Sequence, residues 1–421
     1  MKLTAIAVTA ALILTGLSAS ADTVDIDSLI TKAFSGNTRL ESMKYDVRAS
    51  KSLESVAGSL PDPMVSLGYI NEGTDRITIG DETAGMTRFT VMFSQMFPFP
   101  GKLKTQTEQA GFRTKTAEIN RQNEKLSIIY NIKALYLDLY RIQESERLLD
   151  TKIGFLGLLE SAAEARFRSA QGSSAEVLMF QREKYMAFEA KEMLEEQERM
   201  LKTSLAHITG QDSDVFGEFA RLPELPLDKS ISEIYILARN NSFTVKAMES
   251  EVREMEAEVR MKELEMYPDF TISAGYEPRF SEMDDVWTVG VSFNLPLYYK
   301  TKQKPAADSA RAKKFKADTL LADMRHELRS MVTEFVASAE AAERIMEIYR
   351  GGVIERSRLL RDSALAGYRQ GMMPASEVIT AVSTSVDYEM KYLEQSALRQ
   401  KKLSALNTLT GGTLYGTQIP E

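Results

Sequence analysis

The chain repeats itself, and the repeat limits its fold more than any single motif does. Phe167 and Tyr368, Glu176 and Glu377, and Gly210 and Gly411 are each 201 residues apart. At that spacing "RFRSAQGSSAEVL" from Arg166 lies over "GYRQGMMPASEVI" from Gly367, and "LAHITG" from Leu205 lies over "LNTLTG" from Leu406, without a gap. Further upstream "PDPMVSLGY" at Pro61 answers "PDFTISAGY" at Pro268, and "RFTVMFSQMFPF" at Arg88 answers "WTVGVSFNLPLY" at Trp287. A chain built this way folds as two copies of one supersecondary unit. The proline-bearing "EFARLPELPLDKS" from Glu218 to Ser230 reads as the connector between them.

Each copy has the same order: a helix, two strands, a very long helix, a tight turn and a return helix. The hydrophobic periods place the first repeat at 22–217, with strands about 63–72 and 86–97 and a helical hairpin about 102–209. The second repeat occupies 218–421, with strands about 269–280 and 285–295 and a hairpin about 303–409. The expected fold class is therefore mostly α with a small β part. The helices carry 4-3 spacing, through Ile128, Ile132, Leu135, Leu139 and Ile142, then Leu149, Ile153 and Leu156, and in the second copy Met324, Leu328, Met331 and Phe335. That spacing makes a supercoiled seam. A helix from Lys102 to Arg166 would reach on the order of 100 Å, longer than a compact domain needs.

The strands alternate with period two. Val65, Leu67 and Tyr69, Phe89, Val91 and Phe93, Ile272, Ala274 and Tyr276, and Trp287, Val289, Val291 and Phe293 form one apolar set, opposed by small or uncharged residues such as Ser66, Gly68, Thr90, Ser94, Ser273 and Gly290. A soluble sandwich would bury such faces against each other, but its outer faces would carry Lys and Glu. The alternative is that the apolar faces meet lipid. Four strands cannot close a barrel, since even small barrels use about eight. An open sheet in hydrocarbon would leave edge peptide groups unpaired at several kcal/mol each. Three identical chains give twelve strands and no edge.

The strand-to-helix passage "SQMFPFPGKLKTQ" fits this reading. Pro98 and Pro100, Gly101 in the turn, and Pro296 with Pro305 in the second copy, stop the ladder and start a helix, because proline cannot donate to a sheet and suits a first helical turn.

Composition narrows the function. The formal charge of -8 argues against a counterion-release hold on nucleic acid, and the lack of cysteine removes thiolate metal sites and disulfides. "MKLTAIAVTAALILTGLSASA" places Lys2 before an apolar run and ends in Ala-Ser-Ala, a secretory signal at 1–21. His207 and His326 lie far apart, and neither sits in a zinc-protease helix, a phosphate loop or a nucleophile elbow. No enzyme, cofactor or resident metal is expected. Of the 21 methionines, Met324 and Met331 fall in the helical seam and read as packing.

Taken with the duplication, the "LPDP" approach to the first strand, the "FPFPGKL" corner and the two helical turns, the sequence resembles the TolC-like outer-membrane efflux ducts over essentially the whole mature chain. The corner looks most like the cation and heavy-metal branch. The resemblance implies a homotrimer in the outer membrane of a Gram-negative bacterium, with a twelve-stranded transmembrane β-barrel continued by a periplasmic α-helical barrel. It also implies a periplasmic adaptor (membrane fusion protein) and an inner-membrane pump of the resistance-nodulation-division type as partners, with metal cations or small toxic compounds as cargo. On the same grounds the two turns form the periplasmic tip: Phe167, Gly172 and Glu176 in the first, and Tyr368 as the gate tyrosine, Gly371 as the turn glycine and Glu377 as a ring carboxylate in the second. This chain departs from the family's best-known member in having Met373 at the gate arginine and Thr380 at a second ring carboxylate. The rival reading is a periplasmic coiled-coil adaptor or scaffold, which would show one hairpin flanked by lipoyl-like and small β-barrel segments.

Overall fold

A computed structural model describes residues 23–79, 83–279, 284–417 and 419; the secretory signal expected at 1–21 lies outside them. The element order is α1 (Ile26–Gly36), α2 (Thr38–Ala57), β1 (Met64–Ile70), β2 (Arg88–Phe97), α3 (Lys102–Arg168), α4 (Ser174–Thr209), α5 (Ile231–Asn241), α6 (Phe243–Leu264), β3 (Phe270–Glu277), β4 (Val286–Phe293), α7 (Gln303–Ile348), α8 (Ile354–Arg369) and α9 (Ala375–Leu409). A single π-helical turn, Tyr349–Val353, separates α7 from α8. Among the described residues no helix is long and apolar enough to cross a membrane.

The chain divides into two compact units that do not coincide with the sequence repeats. One takes the stretch up to Gly36, Ile132–Leu225 and Ala342–Lys401; the other takes Asn37–Asn131, Pro226–Ala341 and the stretch from Lys402 onward. Each unit draws on both repeats, because helices as long as α3 and α7 contribute residues to both units.

The second unit contains the sheet. Its four strands run in sequence order, every neighbour antiparallel. The pairing of β2 with β3, with Phe93 opposite Ala274 and Ser94 opposite Ser273, joins the two repeats into one surface.

The first unit contains the helical turns. α3 runs unbroken for 67 residues, as a stretch with no proline and apolar residues every three or four positions should. Ile128, Ile132, Leu139, Ile142, Leu149 and Leu156 of the expected seam are buried. In α7 the seam sits one residue later than its 4-3 spacing suggested: Leu328 is buried, but the next buried positions are Val332 and Val336, with Met331 and Phe335 only partly covered.

The duplication is preserved down to hydrogen bonds at helix ends. The N–H of Gln171 donates to the carbonyl of Arg166 at 2.8 Å, and that of Met372 to Gly367 at 2.9 Å. At the ends of the return helices, Gln211 N–H donates to Ala206 at 3.2 Å and Gly412 N–H to Asn407 at 2.8 Å. These are the six-to-one bonds of a helix C-terminus closed by a left-handed residue.

Candidate functional site

Two regions hold the nominated residues, and each lies within one unit. In the sheet, cross-strand register gathers the apolar set onto a single face. Val65, Phe93, Ala274 and Val289 form one row, and Leu67, Val91, Tyr276 and Trp287 the next. This face is open: Leu67 is 79% exposed, Trp287 77% and Val289 79%. Aromatic pairs bracket it. Tyr69 packs on Phe89 at 5.3 Å and Tyr276 on Trp287 at 4.8 Å toward the loops, while Phe97 stacks on Phe270 at 5.4 Å toward the helices. From Trp287 to Phe293 is about 20 Å at the rise of a strand, close to the ~25 Å apolar band of outer-membrane barrels with its aromatic girdles. The opposite face mixes small residues, Ser94 beside Ser273 and Gly290, and Gly275 beside Thr288, with Met64, Met92 and Met96, until the Arg88–Glu277 ion pair at 2.8 Å near the loops. Within the described residues β1 and β4 are each hydrogen-bonded on one side only.

At the corner, Pro98 and Pro100 lie in the irregular link between Phe97 and Lys102, and Gly101 adopts φ 97°, a value that favours glycine. Asp269, which sequence reasoning passed over, locks this corner together with Lys102. Asp269 Oδ1 accepts from Phe99 N–H and from Lys102 Nζ, each at 2.7 Å, and Lys102 also donates to the Tyr267 carbonyl at 3.1 Å. Phe99 stacks on Tyr267 at 4.6 Å. The repeated Pro-Asp before β1 and β3 was the available signal. In the second copy Pro296 opens a turn, accepting from Tyr299 N–H at 3.2 Å.

At the tip, the paired positions are not equivalent. Tyr368 is 1% exposed, whereas Phe167 is 51% exposed. Tyr368 packs edge-on against Phe180 at 5.3 Å in a cluster with Ala163, Ala364, Val378 and Val382, and its hydroxyl donates to Glu176 Oε2 at 3.0 Å. Burial first, then the Glu176 carboxylate, pushes the Tyr368 hydroxyl up to about 12, so it remains a donor at every physiological pH. Glu176 itself sits at the start of α4, where Ser173 caps the helix by accepting from Glu176 N–H at 3.4 Å. Glu377 is exposed; its backbone N–H donates to the Pro374 carbonyl at 3.2 Å, and its carboxylate makes no hydrogen bond or ion pair among the described residues. It lines a groove of 500 Å³ with Met373, Thr380 and Leu360.

The two turns are not alike in one respect. Gly371 adopts φ 74°, but in the first turn the left-handed position belongs to Ala170, φ 58°, and not to Gly172. Gly172 serves a different need, since a Cβ there would stand 3.1 Å from that of Arg166. Arg166 is the tip residue that sequence reasoning missed. Its Nη1 donates to the Tyr368 carbonyl at 3.0 Å, its Nη2 to the Gln171 carbonyl at 3.4 Å, and its guanidinium lies 5.2 Å from the Tyr368 ring centroid. Two helix C-termini thus converge on one cation, which offsets their mutual repulsion. Among the described residues no cluster of three or more His, Cys, Asp or Glu could hold a metal.

A four-stranded antiparallel sheet with one open apolar face and long helical hairpins is a fold also found in solved outer-membrane proteins. Vibrio cholerae VceC, an outer membrane protein, superposes with a TM-score of 0.78 at 15% identity, over 92% of this chain and 96% of that one. The outer-membrane channel OprN gives 0.77 at 15% identity over 92% and 90%, and the open state of the Neisseria gonorrhoeae MtrE outer membrane channel gives 0.71 at 17% over 92% and 89%. The outer membrane efflux protein BepC of Brucella suis is 21% identical over 395 residues, 91% of this chain and 84% of that protein. Residues 234–412 match the family model of outer membrane efflux proteins.

Proposed function

We propose that three copies of this chain close a twelve-stranded barrel in the outer membrane and conduct substrate passively out of the cell, with energy supplied elsewhere. The observation that carries the reading is the four-stranded sheet with an exposed apolar face and two single-sided edges. In hydrocarbon those edges would cost several kcal/mol for each unpaired peptide group. Pairing β4 of one copy with β1 of the next removes the cost. Residues 1–21 direct export and are then removed. A periplasmic adaptor and a resistance-nodulation-division pump hand over the cargo, with metal cations favoured over small toxic compounds by the likeness of the "FPFPGKL" corner.

The helical turns form the entrance. With threefold symmetry three Glu377 carboxylates ring it, and a concentrated negative field admits cations and repels anions. The freedom of Glu377 in the single chain supports that role, while Glu176 is engaged by Tyr368. The test is Glu377→Gln in planar bilayers under a salt gradient. The reversal potential should move toward zero selectivity; an unchanged potential removes Glu377 from the entrance.

A further inference from the structure

Three helices of the second unit turn charged and apolar side chains toward one cavity of 690 Å³. Each helix gives it a single face. Phe112, Lys115 and Ile119 recur at three and four residues along α3, as do Lys246, Arg253 and their neighbours along α6, and Leu321 and Arg325 are four apart on α7. The volume falls within the ~300–1,000 Å³ of small-molecule sites.

The charge on this lining does not cancel. Four cationic side chains face two carboxylates, and both carboxylates are already engaged. Glu249 accepts from Arg325 Nη2 at 2.8 Å, and Glu256 pairs with Arg253 Nη1 at 3.2 Å. Lys115 and Lys246 have no carboxylate partner among the described residues; Lys246 lies only over the Phe243 ring, at 5.6 Å. The Nε–H of Arg325 is buried and finds no acceptor among the described residues. Beside these groups the wall is apolar, with Val252 and Leu321 buried and Phe112 and Ile119 half-buried. The excess of cations favours an anion, and the wall favours one that carries hydrocarbon.

Position narrows the source of such a ligand. At 1.5 Å per residue Phe112 and Ile119 lie about 15 and 26 Å along α3 from Lys102 at the corner. The head groups that border the hydrocarbon are only roughly 5–8 Å deep, so a lipid seated in its leaflet does not reach the cavity. The cavity also turns away from the face that would line the duct. Met96, on the side of the sheet opposite the apolar set, lines a separate groove with Gln106, Gln109 and Arg113 of α3, about a third of a turn from the cavity residues.

We propose that this cavity binds a single-chain amphipathic anion from the periplasm, its carboxylate or phosphate head held between Lys115, Lys246 and Arg325 and its tail against Phe112, Ile119 and Leu321. The site belongs to the chain's own helices; only the exclusion of a bilayer lipid rests on the duct reading above.

The experiment dialyses the full assembly, in nanodiscs of phosphatidylcholine, to equilibrium against radiolabelled laurate. Comparison with variants cancels partition into the lipid. The parent should show saturable binding approaching about one laurate per chain. Lys115→Gln combined with Lys246→Gln should weaken it at least about 10-fold, the loss expected when charge-assisted bonds to the head go. Arginine at both positions should preserve binding, as should Lys104→Gln on an exposed part of α3 outside the cavity. Dodecyl phosphate should compete, whereas dodecyltrimethylammonium and acetate, lacking the head or the tail, should not. Absence of saturable binding to the parent, equal binding to the glutamine variant, or competition by either of the last two compounds would overturn the proposal. Loss of laurate binding on adding phosphatidylglycerol to the discs would overturn it too, by making a bilayer lipid the occupant. Should the chain prove soluble in plain buffer, the duct reading falls, and the same dialysis without discs still decides the cavity.

Discussion

Val289→Arg tests the apolar face where the competing surroundings differ most. Val289 lies mid-strand in the row Val65, Phe93, Ala274 and Val289, two residues from the Tyr276–Trp287 pair and four from Phe293, or about 7 and 13 Å along the strand. On a face bathed in water, an exposed valine replaced by arginine changes stability by about 0.5 kcal/mol or less. At the middle of a lipid-facing band the same change costs about 2–4 kcal/mol per chain, a factor of roughly 30 to 900 in the folding equilibrium. In the trimer proposed above, three chains unfolding together would multiply the loss to about 6–12 kcal/mol per assembly. Ser292→Arg, on the opposite face, is the matched control and should cost little, because an arginine there reaches water in the lumen. Guanidinium titration of protein reconstituted in lipid vesicles reads both. A Val289→Arg protein as stable as the parent, or a Ser292→Arg protein that suffers more, would refute the assignment of the face.

Two further outcomes follow from particular residues. Ala170→Gly should stabilise the protein by about 0.5–1 kcal/mol, because the left-handed conformation costs alanine ~1–2 kcal/mol and glycine gives back part of that through its freer unfolded chain. A lower denaturation midpoint would show that Ala170 is not strained. Glu146 is raised to about 7, by burial first and then by the Glu198 and Glu195 carboxylates, against Lys191 and Lys202. An acid whose folded value lies above its unfolded value of about 4.5 contributes stability that is complete below pH 4.5 and is lost as pH rises through 7. Glu146→Gln should therefore match the parent near pH 4.5 and melt higher at pH 8; equal melting at both would remove the linkage.

The parts of this molecule that the sequence made legible are those set by strict periods. Alternation along β2 and β4 assigned Phe93 and Val289 to the open face and Ser94 and Gly290 to the opposite one, and no tertiary contact reverses a period of two. The 201-residue spacing located both turns but did not single out Ala170, which takes the left-handed position in the first turn where its copy uses Gly371. Arg166 left no trace in the pattern, since its repeat partner is Gly367 and nothing in the second turn resembles it. Lys102 and Asp269 lie 167 positions apart, so only the fold joins them. The π turn at Tyr349–Val353 stayed hidden because a 4-3 pattern of large side chains fits either register, and the Gly351-Gly352 pair was its sole local sign.

The stoichiometry of the protein extracted from outer membranes tests the central claim most directly. Native mass spectrometry in detergent should find three mature chains in one particle, with Trp287 reporting an apolar environment only while lipid or detergent is present. A single chain, soluble in plain buffer and with Trp287 already shielded from water, would contradict the account.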